Sequence, residues 1–134
     1  MKNSKNYLEK IKKIKGTAII YARYYFKETN NPYLVNEQVH AGTCYAIENL
    51  GKLPKIFSEE NVSGKDIKRI GILNILNYVD SNPGEVKVLI VSDITRLFTD
   101  SKKVRDFRKF FKRRGIKIVS LVYQMSKYIT KRAK

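Results

Sequence analysis

The sequence predicts an α/β domain of three layers, a mostly parallel sheet of four or more strands with helices on its faces. Three observations predict it. Short β-prone apolar runs alternate with stretches whose apolar residues recur at helical spacing, in the order β-α-β-α-β-α-β. One run, Val86 to Val91, is apolar at every position but Lys87, which suits a strand covered on both faces at the middle of a parallel sheet. A chain of 134 residues, 43% hydrophobic and 30% charged, is long enough for one core and short for two.

The elements follow in order. Thr17 to Ala22, after Gly16, is the first strand, and a polar loop runs from Lys27 to Pro32. From Leu34, the residues Val35, Val39, Cys44, Ile47 and Leu50 recur at near-helical spacing until Gly51, which is placed to cap the helix. Leu53 to Phe57 is the second strand. The loop Ser58 to Gly64 separates it from a helix with Ile67, Ile70, Leu73, Leu76 and Val79 on one side, ended by Asp-Ser-Asn-Pro-Gly at 80–84. After the strand Val86 to Val91, a helix from about Asp100 to Arg114 turns Val104, Phe107, Phe110 and Phe111 inward and its basic residues outward. Gly115 ends it, and Ile116 to Val122 is the fourth strand. Parallel strands joined this way need right-handed crossovers. The domain therefore spans 16–122, between a basic N-terminal arm, 1–15, and a basic C-terminal tail, 123–134. Open α/β sheets bind ligands outside the carboxyl ends of their strands. The loops 22–33, 58–65 and 92–99, with Arg23, Ser63, Gly64, Ser92, Asp93, Thr95 and Arg96, are where chemistry is expected.

Charge narrows the partner. Twenty-eight Lys and Arg against twelve Asp and Glu leave a formal +16, well beyond the roughly 2 to 8 that keeps a small domain soluble. Residues 1–15 hold six Lys and one Glu, 102–117 nine basic and one acidic residue, and 123–134 four basic residues and no acid. These segments account for the whole excess, and a polyanion met through its phosphates is the expected partner. An anionic membrane surface fits less well, because no helix with bulky exposed apolar residues accompanies the tails. No run is apolar enough for a signal peptide or a membrane span. Cys44 is the sole cysteine, so neither a disulfide framework nor a cysteine zinc site is expected. His40, the sole histidine, reads as an ordinary helix residue. The motifs of P-loop, dinucleotide-binding and G-x-S-x-G hydrolase sites do not occur.

Tyr21-Ala22-Arg23, Asn36-Glu37-Gln38, Ser63-Gly64 followed by Arg69, Gly71 and Leu73, and Thr95-Arg96-Leu97 stand in an order and at separations that resemble the N-terminal catalytic domain of the serine recombinases, the resolvase/invertase family. The resemblance covers about residues 17–122, and the long interval between Arg23 and Gln38 is similar to that of the large serine integrases. It implies a resolvase-like fold. It also implies a reaction in which a serine hydroxyl attacks a DNA phosphodiester, leaving a 5′-phosphoserine link and a free 3′-hydroxyl, with no metal or cofactor. Arginines stabilise the phosphorane-like transition state, because planar cations fixed in advance meet the charge developing on the non-bridging oxygens. On this likeness Arg23, Arg69 and Arg96 are the phosphate-binding arginines, converging from separate loops on one anion pocket, and Gln38 and Ser63 are supporting polar residues.

The departures from the family pattern carry equal weight. Tyr25 stands where the likeness places the nucleophilic serine, Thr95 where it has Asp or Ser, and Thr99 where it has a further arginine; the acid near the Ser-Gly loop is Glu59, and Lys68 replaces an acid before Arg69. A phenol oxygen lies several ångströms further from the backbone than a serine hydroxyl and is misplaced in a pocket shaped for serine. The family's long oligomerisation helix and DNA-binding module are not expected within a sequence that ends at Lys134.

The expectation is a catalytically degenerate serine-recombinase-like protein of a mobile element or phage, cytoplasmic and nucleoid-associated. It binds DNA or a recombination complex, as a homo-oligomer or with a full-length recombinase, through Lys102, Lys103, Arg105, Arg108, Lys109, Lys112, Arg113, Arg114 and the two termini. Two alternatives stay open. One is an active site-specific recombinase or strand-transfer enzyme that uses Tyr25 with Arg23, Arg69 and Arg96. The other is an interaction protein whose charge serves an acidic protein partner.

Overall fold

The computed structural model describes residues 15–28, 33–65 and 69–133, with the side chains of the last helix as far as Ile129. The arm 1–15 lies, apart from Lys15, outside these residues, as does Lys68. Strands β1 (Thr17–Tyr24), β2 (Lys55–Glu60), β3 (Val86–Val91) and β4 (Lys117–Ser120) form one sheet in the order β2-β1-β3-β4, with every pairing parallel. Helices α1 (Val35–Tyr45), α2 (Ile70–Ser81), α3 (Ser101–Arg113) and α4 (Met125–Ala133) cover it.

Side chains on the central strands alternate between two cores, as the two-residue period of a strand requires. Ile19 and Tyr21 of β1 and Leu89 and Val91 of β3 pack with Ile72, Ile75 and Val79 of α2 and with Phe107 and Phe111 of α3. Ala18, Ile20, Val88 and Ile90 pack on the other face with Ala41 of α1 and with Met125 and Tyr128 of α4. The result is the expected three layers. Gly42 lets α1 lie close on the sheet, since a Cβ there would come within 2.7 Å of Ile20.

Five boundaries differ from the sequence reading; one is β4, which covers Lys117–Ser120 rather than Ile116 to Val122, because the chain turns at 122–124 into the last helix. β1 runs two residues past Ala22, because Arg23 and Tyr24 pair in register with Glu59 and Glu60; Arg23 is thus a strand residue rather than a loop residue. β2 begins at Lys55 rather than Leu53 and ends at Glu60 rather than Phe57, since Ser58, Glu59 and Glu60 pair with β1. It is an edge strand whose Ile56 is exposed, as is Leu53 before it, so apolarity is a poor guide to its start. The first helix tightens into α1 and then loosens into a π-helical turn, Ala46–Leu50, which Gly51 ends at φ 64° as the capping position required. The tail 123–134 is corrected most: Met125–Ala133 is helical, and Met125 and Tyr128, one turn apart, are buried in the second core. Three basic residues in a short segment hid that spacing. No helix among the described residues is long and apolar enough to cross a membrane.

Candidate functional site

The connections that leave β1, β2 and β3 at their carboxyl ends meet around Arg23. Its side chain is wholly buried, and a guanidinium out of water must find partners for its donors. All five N–H groups do. Nε donates to the Arg96 carbonyl at 2.8 Å; Nη1 to Glu28 Oε1 at 2.7 Å and the Val62 carbonyl at 2.9 Å; Nη2 to Glu28 Oε2 at 3.2 Å and the Thr95 carbonyl at 2.8 Å. Its backbone is clamped as well. Gln38, buried on α1, accepts from the Arg23 N–H at 3.1 Å and donates to the Arg23 and Tyr33 carbonyls at 2.8 Å.

Asp93 supplies the next piece. Its carboxylate accepts from the Thr95 N–H at 3.0 Å and from the Thr95 hydroxyl at 3.1 Å, and so caps the 3₁₀ turn Ile94–Arg96 that aims two carbonyls at Arg23. The same turn delivers Arg96, 1% exposed, whose Nη2 donates to Glu28 Oε2 at 2.8 Å and whose Nη1 donates to the Arg23 carbonyl at 3.2 Å. Arg96 Nε is buried with no hydrogen-bond partner among the described residues. Burial and the neighbouring Arg23 charge pull the Arg96 guanidinium below its usual range, and the Glu28 carboxylate opposes them.

Glu28 is therefore the centre of the site. Its two oxygens accept four donors, three from Arg23 and Arg96 and one from the Gly64 amide at 3.2 Å. Burial by itself would raise its carboxyl, but the hydrogen bonds and charge of Arg23, the Gly64 amide and the charge of Arg96 prevail and hold it below its ordinary value. Gly64 must be a glycine here, since a Cβ would stand 2.6 Å from Arg23 Nη2 and 2.8 Å from the Thr99 methyl.

Arg69 occupies a neighbouring, separate nest. It lies 3.7 Å from Glu59, beneath the rings of Tyr21 and Phe98 at 5.5 and 4.8 Å, and donates to the Leu97 carbonyl. Glu59 also accepts from the Tyr21 hydroxyl and, at 2.7 Å, from the Gly71 N–H. Burial first, then the bond to Glu59, holds the Tyr21 phenol far above its ordinary value, so it stays protonated. The three arginines thus all contact the 95–97 segment, but only Arg23 and Arg96 share an anion. Tyr25 sets its ring edge-on to Phe26 at 5.4 Å, and the donors on Glu28 are Arg23, Arg96 and Gly64 rather than its hydroxyl. Ser63 accepts from the Lys65 N–H at 3.1 Å, a local turn contact. His40 approaches Cys44 Sγ at 3.8 Å on α1, away from the site.

The basic helix α3 begins just beyond. Asp100 caps it by accepting from the Lys102 N–H at 2.8 Å. Lys102, Arg105, Arg108, Lys109, Lys112 and Arg113 are exposed, and Lys103 is half-buried. Arg114 is the exception: it pairs with Asp80 at 3.0 Å and stacks on Phe110 at 3.5 Å. An open cleft of about 500 Å³, lined by Lys65, Thr99, Asp100, Ser101 and Lys103, lies at the start of this helix, and the Thr99 methyl in its wall stands close to Gly64. Among the described residues no group of three or more His, Cys, Asp and Glu could hold a metal ion.

Sequence reasoning named every arginine here and missed Glu28, which sits in a polar loop without a pattern. The signal available was its proximity to Arg23, five residues on, in a segment leaving the carboxyl end of a strand.

The model of the family described as Resolvase, N terminal domain, matches residues 18–133. Among solved structures, the C-terminal catalytic domain of ISC1926 TnpA, an IS607-like serine recombinase, superposes with a TM-score of 0.66 at 20% identity, over 87% of this chain and 78% of that one. The N-terminal catalytic domain of TP901-1 integrase gives 0.61 at 20% identity, over 76% of each chain. The first open reading frame of transposon ISC1904 from Sulfolobus solfataricus P2 gives 0.58 at 23%, over 79% of this chain and 67% of that one. At such identities the likeness is one of fold. No curated protein matches the chain.

Proposed function

The chain belongs to the resolvase N-terminal domain family, and from that premise we propose a DNA-associated protein of the serine-recombinase type that binds DNA, or a recombination complex built on it, without cutting. The observation that carries this reading is the face of α3: Lys102, Arg105, Arg108, Lys109, Lys112 and Arg113 stand out into solvent with no acid paired to them among the described residues, whereas Arg114, which caps the helix, pairs with Asp80. Such a row neutralises phosphates and releases their counterions, which gives affinity without sequence preference. The partner complex is a homo-oligomer or a full-length recombinase, and the place of action is the nucleoid.

Catalysis is absent on this reading because Tyr25 stands at the nucleophile's position in the family pattern, where a phenol replaces the attacking serine hydroxyl; its ring meets Phe26 edge-on. The phosphate-facing residues of the family map onto Arg23, Arg69 and Arg96, with Gln38 fixing the Arg23 backbone and Ser63 in the adjoining turn. The long interval between Arg23 and Gln38 favours the large serine integrases as the nearest branch.

Mobility shifts with duplex DNA across a salt series test the reading. Reversing the charges of Lys109, Lys112 and Arg113 is expected to weaken binding by tenfold or more and to lower the salt slope by about one for each phosphate no longer neutralised. Unchanged binding would exclude α3 as the face that meets DNA. Incubation with supercoiled plasmid followed by denaturant is expected to leave no covalent adduct; an adduct that Tyr25→Phe abolishes would make the protein an enzyme.

A further inference from the structure

We propose that Glu28 is a built-in stand-in for a phosphodiester, so that Arg23, Arg96 and the Gly64 amide form an oxyanion site which a phosphate group enters only when Glu28 leaves. The inference rests on the reading that the chain meets nucleic acid, and it adds how the arginine site is closed.

Chemical equivalence is the first ground. A carboxylate and a phosphodiester each spread one negative charge over two terminal oxygens, and both suit forked guanidinium donors. Glu28 receives what a bound phosphodiester would: a two-point fork from Arg23, one bond from Arg96 and one backbone amide.

Independence is the second. The cations are held in place without Glu28, since Arg23 is also bonded to the Arg96, Val62 and Thr95 carbonyls and Arg96 to the Arg23 carbonyl. Removing the carboxylate therefore leaves a site already arranged, with Arg96 Nε as a further donor buried without a partner among the described residues.

Glu59, the other carboxylate among the arginines, shows the contrast. It belongs to a paired strand and is tied to Tyr21 and Gly71 besides Arg69, and is thus built into the fold. Glu28 lies on a turn, where its backbone N–H bonds the Tyr25 carbonyl at 2.9 Å and its side chain keeps 16% of its exposure.

An intramolecular occupant on so short a tether competes at an effective concentration in the millimolar range or above. It lowers the apparent affinity for a free anion by the fraction of time that the site stands open. DNA held on α3 competes better, because the cleft at the start of that helix is lined by Lys65, which follows Gly64 in the chain, and by Thr99, whose methyl lies against Gly64.

The test uses the full chain as wild type, Glu28→Ala and Glu28→Gln, titrated with inorganic phosphate at constant ionic strength with chloride as the control. The readouts are the NMR signals of the Gly64 amide and of Nε in Arg23 and Arg96. Saturable shifts in Glu28→Ala at an affinity about tenfold or more above wild type, with Glu28→Gln between the two, are expected. Equal responses in all three proteins, or the same response to chloride, would overturn the proposal. So would loss of the fold in both variants, which would make Glu28 a structural ion partner. The wild-type DNA mobility shift is scored separately: DNA binding without a phosphate response in Glu28→Ala defeats this proposal alone, and a phosphate response without DNA binding defeats the functional reading alone.

Discussion

The arginines at the carboxyl ends of the strands and the lysines and arginines of α3 are equally cationic, yet they are built in opposite ways. Arg23 and Arg96 are out of water, and every donor of Arg23 is matched by a carbonyl or by Glu28. On α3 the charged ends stay in water, and only Arg114 is paired among the described residues. A buried cation is part of the fold, since its desolvation must be offset by fixed partners. An exposed row costs the fold little and is free to meet a partner outside. Stability and binding should therefore respond separately to changes at the two places.

The largest effect is expected at Arg23. Arg23→Ala removes the fork from Glu28 and leaves four carbonyl or carboxylate acceptors with fewer donors; breaking a buried pair from one side costs on the order of 3 to 5 kcal/mol. The loss is read from urea or thermal denaturation. A loss below about 1 kcal/mol would mean that the arginine cluster is not part of the fold's support, and the comparison would break.

Gly64→Ala tests the same cluster sterically. The added methyl meets Arg23 Nη2 at 2.6 Å, and that nitrogen cannot move aside cheaply because it bonds both Glu28 and the Thr95 carbonyl. A cost of about 1 to 3 kcal/mol is expected, as for overpacking elsewhere. A neutral result would show that the guanidinium has room to shift.

Acid sharpens the comparison further. The Glu28 carboxyl is lowered in the folded protein, so its contribution is complete above the ordinary carboxyl range, near pH 4.3, and is lost as the pH falls through its lowered folded value. Glu28→Gln should flatten the acid limb of the stability profile and leave its slope near neutrality unchanged. An acid limb identical to wild type would assign that slope to other carboxylates.

The sequence disclosed these regions unequally, for physical reasons. Val86–Val91 matched its expected bounds because a strand buried on both faces has to be continuously apolar, whereas β2 moved by two residues at its start and three at its end because an edge strand is under no such demand. The helical spacing of Met125 and Tyr128 was present in a segment whose basic residues dominated its reading. Arg23 and Arg96 stood out as candidates through their place after buried strands. That they share Glu28 could not be read, because the carboxylate is brought in by the turn Tyr25–Glu28 and by a hydrogen bond spanning 68 residues. Local pattern reveals which residues end at the sheet's edge, and only the folded chain reveals which of them meet.

The smallest effect on stability is expected from α3, and its smallness is the point. Lys109→Gln, Lys112→Gln and Arg113→Gln together remove three charges. Relief of repulsion among neighbouring cations stabilises the helix, while the loss of Lys112 and Arg113 from its last turn gives up their favourable interaction with the helix dipole. Each contribution is a few tenths of a kcal/mol and they oppose each other, so the melting free energy should move by no more than about 0.5 kcal/mol. The salt dependence of DNA binding should fall in the same protein, measured on the same preparation. A melting shift as large as that of Gly64→Ala would mean that α3 uses these charges to hold itself together, and the division between cations that support the fold and cations that do not would no longer hold.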